Sequence, residues 1–240
     1  MGAELTDARA FYGEVLGWSF QCGLYDGRTL VALADGDPVA GIRGGGPRAA
    51  PAQVWTPYFA VRDADETAAR IRERGGTVAV GPMAMGEGRV GLAADRDGAA
   101  FGFWEGCTLA WPQGADKAPA RLDLQTSDMF DSAVFYGEVL DWATTEGIDV
   151  TYRDDHVLVM LDDRVILSMR GGGARTSPLD CLRPGWLVHF AVDDVERAVS
   201  AAMCAGGSRP RHPLPRAPKG FSRTLLDPGG GQFSLTHRED

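Results

Sequence analysis

The segment Phe11-Tyr-Gly-Glu-Val-Leu-Gly-Trp18 occurs a second time in the chain, as Phe135-Tyr-Gly-Glu-Val-Leu-Asp-Trp142, with seven of its eight positions identical. Four further matches follow in the same order in both halves. They are Arg43-Gly-Gly-Gly46 with Arg170-Gly-Gly-Gly173, Phe59-Ala-Val-Arg-Asp63 with Phe190-Ala-Val-Asp-Asp194, Gly75-Gly76 with Gly206-Gly207, and Asp95-Arg-Asp-Gly-Ala-Ala-Phe101 with Asp227-Pro-Gly-Gly-Gly-Gln-Phe233.

An ordered repeat of this kind predicts a tandem duplication of one folding module. We expect a first module at residues 1–110, a linker at 111–120 and a second module at 121–240. The second module begins with a predicted strand, Ala120 to Thr126, whereas only Met1 to Thr6 precedes the first helix of the first module. Either that first strand is short or missing, or the start site has been assigned late.

Composition indicates a folded protein and does not favour nucleic acid as a partner. Of the 240 residues, 44% are hydrophobic and 24% are charged, which is ordinary for globular domains. The formal charge of −9, without a dense Lys/Arg cluster, argues against nucleic acid as a partner. The longest apolar runs, such as Val157 to Leu161, are far shorter than the roughly 20 residues of a membrane span. The N-terminus lacks the features of a signal peptide, so we expect a cytoplasmic protein without a membrane partner.

Hydrophobic period and turn residues predict the same elements in both halves. A first helix is expected at Asp7 to Leu16 and again at Asp131 to Leu140, with Asp7 and Asp131 as N-caps. A second helix is expected at Ala64 to Arg74 and at Val195 to Ala205, ended by the Gly-Gly pairs. The strands are expected at 29–34, 39–43, 54–61, 89–93 and 100–104, and at 120–126, 156–161, 164–170, 186–192, 222–226 and 232–236.

With these motifs the chain resembles the vicinal oxygen chelate superfamily, which includes glyoxalase I, extradiol dioxygenases and bleomycin-resistance proteins. It looks most like the two-module actinobacterial members, which carry an "FYGxVxGW" segment, a "YFxVxD" strand and a "DPxGxxFxLW" turn. The resemblance covers both halves. It implies an α+β fold of tandem βαβββ modules, whose curved mixed sheets surround a cavity and hold any metal on inward-facing strands.

The metal-binding pattern of that superfamily does not carry over to this chain. The resemblance places a first His at Arg121, a second at Thr56 or Leu187, and a closing Glu at Gly102 or Ser234. A guanidinium that is always charged cannot ligate a cation. We therefore expect no cofactor, although a divalent metal held by nonstandard ligands stays possible.

Strand alternation in the register of the superfamily places Arg121, Asp123 and Gln125 on one face and Leu187 and His189 on another inward face. His189 could act as a general base or hydrogen-bond a ligand, or it could be a buried core histidine. Asp123 could pair with His189 or Arg121, or orient a polar substrate, or it could simply be solvated.

Several aromatic residues fall on strands that would line the cavity, where they could stack on a planar ligand or serve as ordinary core. They are Trp55, Tyr58, Trp104, Trp186 and Phe233. Met83 and Met85 could form an adaptable rim of the pocket, or lie in a loop that merely packs down.

The favoured hypothesis is a metal-independent small-molecule binding protein that handles an aromatic or hydrophobic natural product in a resistance, carrier or biosynthetic role. The alternative is a glyoxalase-like lyase or isomerase, or another small-molecule enzyme, that uses His189 with Asp123 or Tyr58 as acid and base, or a nonstandard metal site. A cofactor-free interaction or stress protein is a third hypothesis. The residues leave open whether there is turnover and whether the chain is a monomer or a homodimer. Because the two halves differ, we expect one asymmetric pocket built from both modules.

Overall fold

The computed structural model describes residues 3–23, 29–44, 54–107, 119–171, 184–210 and 222–237. The predicted linker at 111–120 and the predicted loops at 44–53 and 171–185 lie mostly outside these residues. In the described part of the chain, no helix is long and apolar enough to cross a membrane.

The described elements confirm the α+β class. The helices are α1 (Ala3–Leu16), α2 (Ala64–Glu73), α3 (Met129–Val139) and α4 (Val195–Cys204), with a short 3-10 helix at Trp142–Thr144. The strands are β1 (Ser19–Cys22), β2 (Thr29–Ala34), β3 (Asp37–Arg43), β4 (Tyr58–Val61), β5 (Thr77–Met85), β6 (Gly88–Ala94), β7 (Ala100–Glu105), β8 (Pro119–Thr126), β9 (Ile148–Tyr152), β10 (Val157–Leu161), β11 (Arg164–Gly171), β12 (Gly185–Val192), β13 (Ser222–Leu226) and β14 (Gln232–His237).

The chain forms two compact units, and each unit draws on both halves of the sequence. The first unit comprises Met1–Trp55, Trp111–Ala120 and Val188–Asp240, and the second comprises Thr56–Ala110 and Arg121–Leu187. The boundaries 1–110 and 121–240 describe the sequence repeat, whereas the compact units combine the start of one repeat with the end of the other.

The second unit contains two βαβββ motifs. In the first motif α2 connects β4 to a meander of β5, β6 and β7, and the strand order is β4-β7-β6-β5 with β4 parallel to β7. In the other motif α3 connects β8 to β9, β10 and β11, and the order is β8-β11-β10-β9 with β8 parallel to β11. This repeated topology is the one that the resemblance implied.

The first unit contains the remaining strands. β1, β2 and β3 form an antiparallel meander next to α1 in sequence. The last five residues of β12 belong to this unit and pair in parallel with β14, which pairs antiparallel with β13. Helices α1 and α4 pack against each other in this unit.

The repeated Phe and Gly-Gly motifs interlock within each unit. A Cβ added at Gly207 would lie 3.0 Å from a ring carbon of Phe11, and a Cβ at Gly76 would lie 3.0 Å from a ring carbon of Phe135. Both rings are almost fully buried. The second glycine of each pair therefore makes room for the phenylalanine of the "FYG" segment, which explains why the two motifs recur together.

Both predicted N-caps were wrong. Helix α1 already includes Ala3, because Ala, Glu and Leu before Asp7 are good helix formers. Helix α3 is capped by Asp128, whose side chain accepts hydrogen bonds from the amides of Phe130 and Asp131.

The strand predictions missed β1, β5 and β9 and began β4 too early. β4 begins at Tyr58 because the preceding residue, Pro57, has no N–H to donate to a ladder. In β5 the register against β6 shifts twice, between Val78 and Val80 and between Val80 and Met83, so the period of two that marks a strand is lost.

Candidate functional site

The tyrosine of each "FYG" segment is tied to a buried carboxylate. In the first unit, Tyr12 Oη donates to Asp227 Oδ2 at 2.7 Å and accepts from Trp55 Nε1 at 3.0 Å. The opposite oxygen of Asp227 accepts from the Gly231 amide at 2.7 Å. Burial, and then the charge of Asp227, raises the pKa of Tyr12 well above its usual value. The phenol therefore stays neutral and serves as a hydrogen-bond donor.

The second unit repeats this arrangement. Tyr136 Oη donates to Asp95 Oδ2 at 2.9 Å, and Asp95 Oδ1 accepts from the amides of Asp97 at 3.0 Å and Ala99 at 2.8 Å. The ring of Trp186 lies 5.3 Å from that of Tyr136. Burial raises the pKa of Asp95, and burial together with the Asp95 charge raises that of Tyr136. Sequence reasoning used these residues as repeat markers and did not foresee that the matched motifs bond to each other.

The predicted residues of the first unit are mostly buried. Phe233 is 0% exposed and makes edge-to-face contacts with Phe11 and Tyr12, and this burial favours a packing role over the predicted ligand contact. Trp55 precedes β4 instead of lying on a strand, and its indole is half-buried against Tyr12 and Phe190.

His189 is 2% exposed and lies in a cross-strand row with two hydroxyl residues. It pairs with Ser234 on β14, and Ser234 pairs with Thr224 on β13. The hydroxyl of Ser234 donates to the carbonyl of Arg223 at 3.3 Å. His189 belongs to the first unit, whereas Asp123 and Tyr58 belong to the second, so its predicted pairing with either stays a prediction.

The second unit presents one sheet face that is apolar although it does not pack on the core. Two neighbouring rows cross the four strands β5, β6, β7 and β4 in register. The first row contains Met83, Val90, Trp104 and Ala60, and the second contains Val80, Leu92, Gly102 and Tyr58. We call these eight residues the apolar face.

The apolar face is partly open to solvent. Tyr58 is 57% exposed and Met83 is 52% exposed, whereas Phe101 and Phe103 on the opposite side of β7 are fully buried in the core. A Cβ added at Gly102 would lie 2.2 Å from the ring of Tyr58, so the phenol ring rests directly on the Gly102 backbone. The Trp104 indole donates to the carbonyl of Cys107 at 3.2 Å. A Cβ added at Gly88 would likewise collide with the Trp104 ring, so each of the two aromatic rings rests on a glycine.

A second sheet face in the same unit is polar. Leu122 and Leu124 of β8 pack on the core, so the predicted alternation is confirmed and Arg121, Asp123 and Gln125 share the opposite face. The parallel register with β11 adds two residues that the sequence did not single out as site residues, because Asp123 pairs with Ser168 and Gln125 with Arg170. We call Arg121, Asp123, Gln125, Ser168 and Arg170 the polar face.

The polar face contains buried polar atoms that lack hydrogen bonds. Arg121 Nε lies 3.1 Å from Asp123 Oδ1, which makes an ion pair without the geometry of a hydrogen bond. Among the described residues, Ser168 Oγ and Arg170 Nε and Nη2 have no hydrogen-bond partner although they are buried. Buried polar groups of this kind are uncommon and call for an explanation.

Two family models match the chain in succession. The model of the Glyoxalase/Bleomycin resistance protein/Dioxygenase superfamily matches residues 2–103, and the Glyoxalase-like domain model matches residues 120–236. The chain belongs to this superfamily. The vicinal oxygen chelate resemblance of the two sequence modules is thereby confirmed.

Relatives in this superfamily include natural-product biosynthesis proteins. The anthracycline biosynthesis protein DauV of Streptomyces sp. strain C5 is 33% identical over 187 residues, which cover 76% of this chain and 65% of DauV. A second relative is CFP32 of Mycobacterium tuberculosis, whose name describes it provisionally as a glyoxylase. It is 28% identical over 248 residues, which cover 97% of this chain and 90% of CFP32.

Among solved structures, the 2,3-dioxygenase LapB of Pseudomonas sp. KL28 superposes with a TM-score of 0.63 at 14% identity. The match covers 98% of this chain and 88% of LapB. At this level of identity the likeness shows the fold alone.

The residues at the superfamily's metal-ligand positions do not fit a metal ion. These positions carry Arg121, Leu187 and Ser234 in the second module and Thr56 and Gly102 in the first. In the described part of the chain, no group of three or more His, Cys, Asp or Glu residues could hold a metal. A guanidinium, an aliphatic side chain and a glycine supply no lone pairs to a divalent cation, and the other two positions offer only neutral hydroxyls.

A small cavity of about 120 Å³ in the second unit is lined largely by helix-capping and turn residues. The carboxylate of Asp97 there accepts hydrogen bonds from the hydroxyls of Thr126 and Ser127 at 2.6 and 2.7 Å. Burial would raise the pKa of Asp97, but these hydrogen bonds outweigh burial and lower it. We regard the cavity as part of the scaffold, because the hydrogen bonds of this carboxylate are already used.

Proposed function

We propose that this protein binds a planar aromatic natural product on the apolar face, without a metal ion. The observation that carries the proposal is the pair of aromatic rings, Tyr58 and Trp104, on a half-open sheet surface whose other six residues are apolar. A sheet face exposed to water is normally polar, and a contiguous apolar patch marks a binding surface. Aromatic rings that rest on glycines and are bordered by apolar side chains suit a flat polycyclic ligand.

The relatives support the same ligand class. The names of DauV and of the Streptomyces peucetius protein DnrV, which is 32% identical over 185 residues, assign both to anthracycline biosynthesis. Anthracyclines contain a planar fused-ring chromophore. The unsuitable residues at the metal-ligand positions support metal-independent binding, and the role would be biosynthetic, carrier or resistance-related.

Titration of the protein against quinizarin, a planar dihydroxyanthraquinone, tests this proposal through the visible absorbance of the dye. Tyr58→Ala should weaken binding about tenfold or more, because stacking on one aromatic side chain contributes roughly 1–3 kcal/mol. The matched control is Tyr152→Ala, which removes another exposed tyrosine that lies outside the apolar face. Equal affinity of Tyr58→Ala and the native protein would exclude the apolar face as the binding surface.

Metal independence is tested in the same titration. The quinizarin affinity should be the same within about twofold after treatment with EDTA and after addition of Zn²⁺ or Fe²⁺, since no described ligand set holds these ions. A tenfold loss on chelation, or a tenfold gain on adding metal, would overturn the metal-independent part of the proposal.

An enzymatic role is the second candidate, and the cross-strand row of His189, Ser234 and Thr224 is the observation that favours it. A buried imidazole beside hydroxyls could move a proton on a bound substrate. The assay is isomerisation of a thiohemiacetal of a 2-oxoaldehyde by the native protein and by His189→Gln, with thermal unfolding as the control for folding. Turnover that survives in His189→Gln would remove this residue from the mechanism, and absence of turnover in the native protein would reject the candidate.

A further inference from the structure

The polar face, on β8 and β11, carries charged side chains, which the apolar face lacks. Both strands bury their other side in the core through Leu124 and Met169, so the polar residues are held on a rigid surface. Ser168 and Arg170 belong to the same strand and Asp123 and Gln125 lie directly opposite them. Register therefore fixes the spacing of these groups.

Arg170 has more buried side-chain atoms without a hydrogen-bond partner than any other described residue. Its Nε and Nη2 atoms are buried, and neither has an acceptor among the described residues. Arg170 also makes no ion pair with any residue that the structure describes. A guanidinium offers parallel N–H donors whose geometry matches a carboxylate, and leaving them buried without an acceptor is costly. An acceptor that the described residues do not supply is therefore expected at this position.

The charges of the polar face favour an anionic partner. The ion pair of Arg121 with Asp123 is neutral as a pair, and no described carboxylate lies within ion-pair distance of Arg170. The exposed carboxylate of Asp155 also feels the charge of Arg170, which lowers the pKa of Asp155 in addition to its hydrogen bond with His156. A ligand with a single negative charge would balance the face.

The neighbours of the polar face indicate the rest of the ligand. Leu158 of β10 pairs with Ser168, so an apolar side chain adjoins the buried hydroxyl on the same sheet face. Ser168 Oγ is itself buried without a hydrogen-bond partner among the described residues and can donate to a second oxygen. The face thus combines a fork of donors, a hydroxyl donor and an apolar border.

We propose that the polar face binds the carboxylate group of a monoanionic ligand with an apolar body, with Arg170 as the main anchor and Ser168 as a second donor. The site lies on other strands than the apolar face and rests on different chemistry, so it does not depend on the proposed binding of a planar aromatic ligand.

Benzoate is the probe, and isothermal titration calorimetry on the full chain is the measurement. The native protein should bind benzoate at least tenfold more tightly than benzyl alcohol, which has a similar shape and no charge. Arg170→Gln should weaken benzoate binding at least tenfold, because the loss of a charge-assisted pair has effects of this size. The matched control is Arg164→Gln, a change to an exposed arginine of the same strand, which should alter the affinity less than twofold.

The outcomes distinguish a binding site from a structural arginine. Arg170→Met should lose benzoate binding without a fall in the unfolding temperature, since it removes two buried donors that have no acceptor among the described residues. A lower unfolding temperature in Arg170→Met, with benzoate binding retained, would assign Arg170 to the scaffold. Equal binding of benzoate and benzyl alcohol to the native protein would overturn the proposal, and this test does not require that any variant folds. In that case the N–H groups of Arg170 would donate to water and not to a ligand.

Discussion

Tyr136→Phe tests the link between a repeat motif and a buried carboxylate. The change removes one oxygen and leaves the fully buried ring in place. It deletes the 2.9 Å hydrogen bond to Asp95, whose other oxygen keeps two backbone donors. A hydrogen bond to a charged group contributes about 1.5–3 kcal/mol, so we expect the free energy of unfolding at pH 7 to fall by about that amount.

The assay is urea unfolding at pH 7, followed by tryptophan fluorescence and by circular dichroism to detect separate transitions of the two compact units. For a chain of this length a loss of about 2 kcal/mol corresponds to a drop of roughly 4–8 °C in the unfolding temperature. The control is Tyr152→Phe, which removes a hydroxyl from a tyrosine that is 51% exposed, and which should change stability by less than about 0.5 kcal/mol.

The pH dependence of the Tyr136→Phe deficit gives a second check. Burial raises the pKa of Asp95 above its usual value, and the Tyr136 hydroxyl partly offsets this rise. Without the hydroxyl the pKa should rise further. A raised folded-state pKa favours the fold at low pH and loses this contribution as pH rises through it, so the deficit should shrink on acidification. A deficit below about 0.5 kcal/mol at pH 7, or one that grows as pH falls, would refute the reasoning.

Three further outcomes are expected. Hydrogen bonds lower the pKa of Asp97, so its contribution to stability is present at neutral pH and is lost as pH falls through the lowered pKa. Asp97→Asn should therefore make the free energy of unfolding less dependent on pH on the acid side. Urea unfolding between pH 3 and 7 measures this change. Gly91→Ala would place a Cβ 2.0 Å from the fully buried Phe103 ring, so the free energy of unfolding should fall by about 1–3 kcal/mol in a thermal unfolding experiment. The control is Gly41→Ala, whose added Cβ would meet no atom within 4 Å and which should lower it by less than about 0.5 kcal/mol. Residues 1–110 expressed alone should show no cooperative thermal transition by circular dichroism, because each compact unit needs segments from both halves.

Local patterns were enough to predict most of the fold. The helix predicted at Ala64 to Arg74 is α2, Ala64–Glu73, because an Asp63 cap and a Gly-Gly stop both lie within a few residues of it. β5 was missed because its two register shifts depend on the partner strand, which no local pattern reveals. The N-cap of α3 was misplaced by three residues because Asp128 and Asp131 are both suitable caps in the sequence.

The candidate site was predictable where it depends on alternation and not where it depends on pairing. Period two placed Arg121 and Asp123 together, and the strand confirms this. Ser168 and Arg170 join them only through the parallel register of β8 with β11, which connects residues more than 40 positions apart in the sequence. Sequence also gave no means of knowing that the Tyr58 ring lies on Gly102, since these residues meet on two different strands.

The two copies of the repeat agree where they build the scaffold and differ where a ligand could bind. The matched tyrosines, aspartates and second glycines all make buried contacts that are the same in both compact units. Two positions next to this scaffold have diverged: Tyr58 in one copy corresponds to buried His189 in the other, and Gly102 corresponds to buried Ser234. We expect the loss of these scaffold contacts to lower stability in either copy, as the Tyr136→Phe prediction states for one of them. The duplication therefore yields two related sheets whose corresponding positions differ in chemistry, with Tyr58 and Gly102 paired in one and His189 and Ser234 paired in the other.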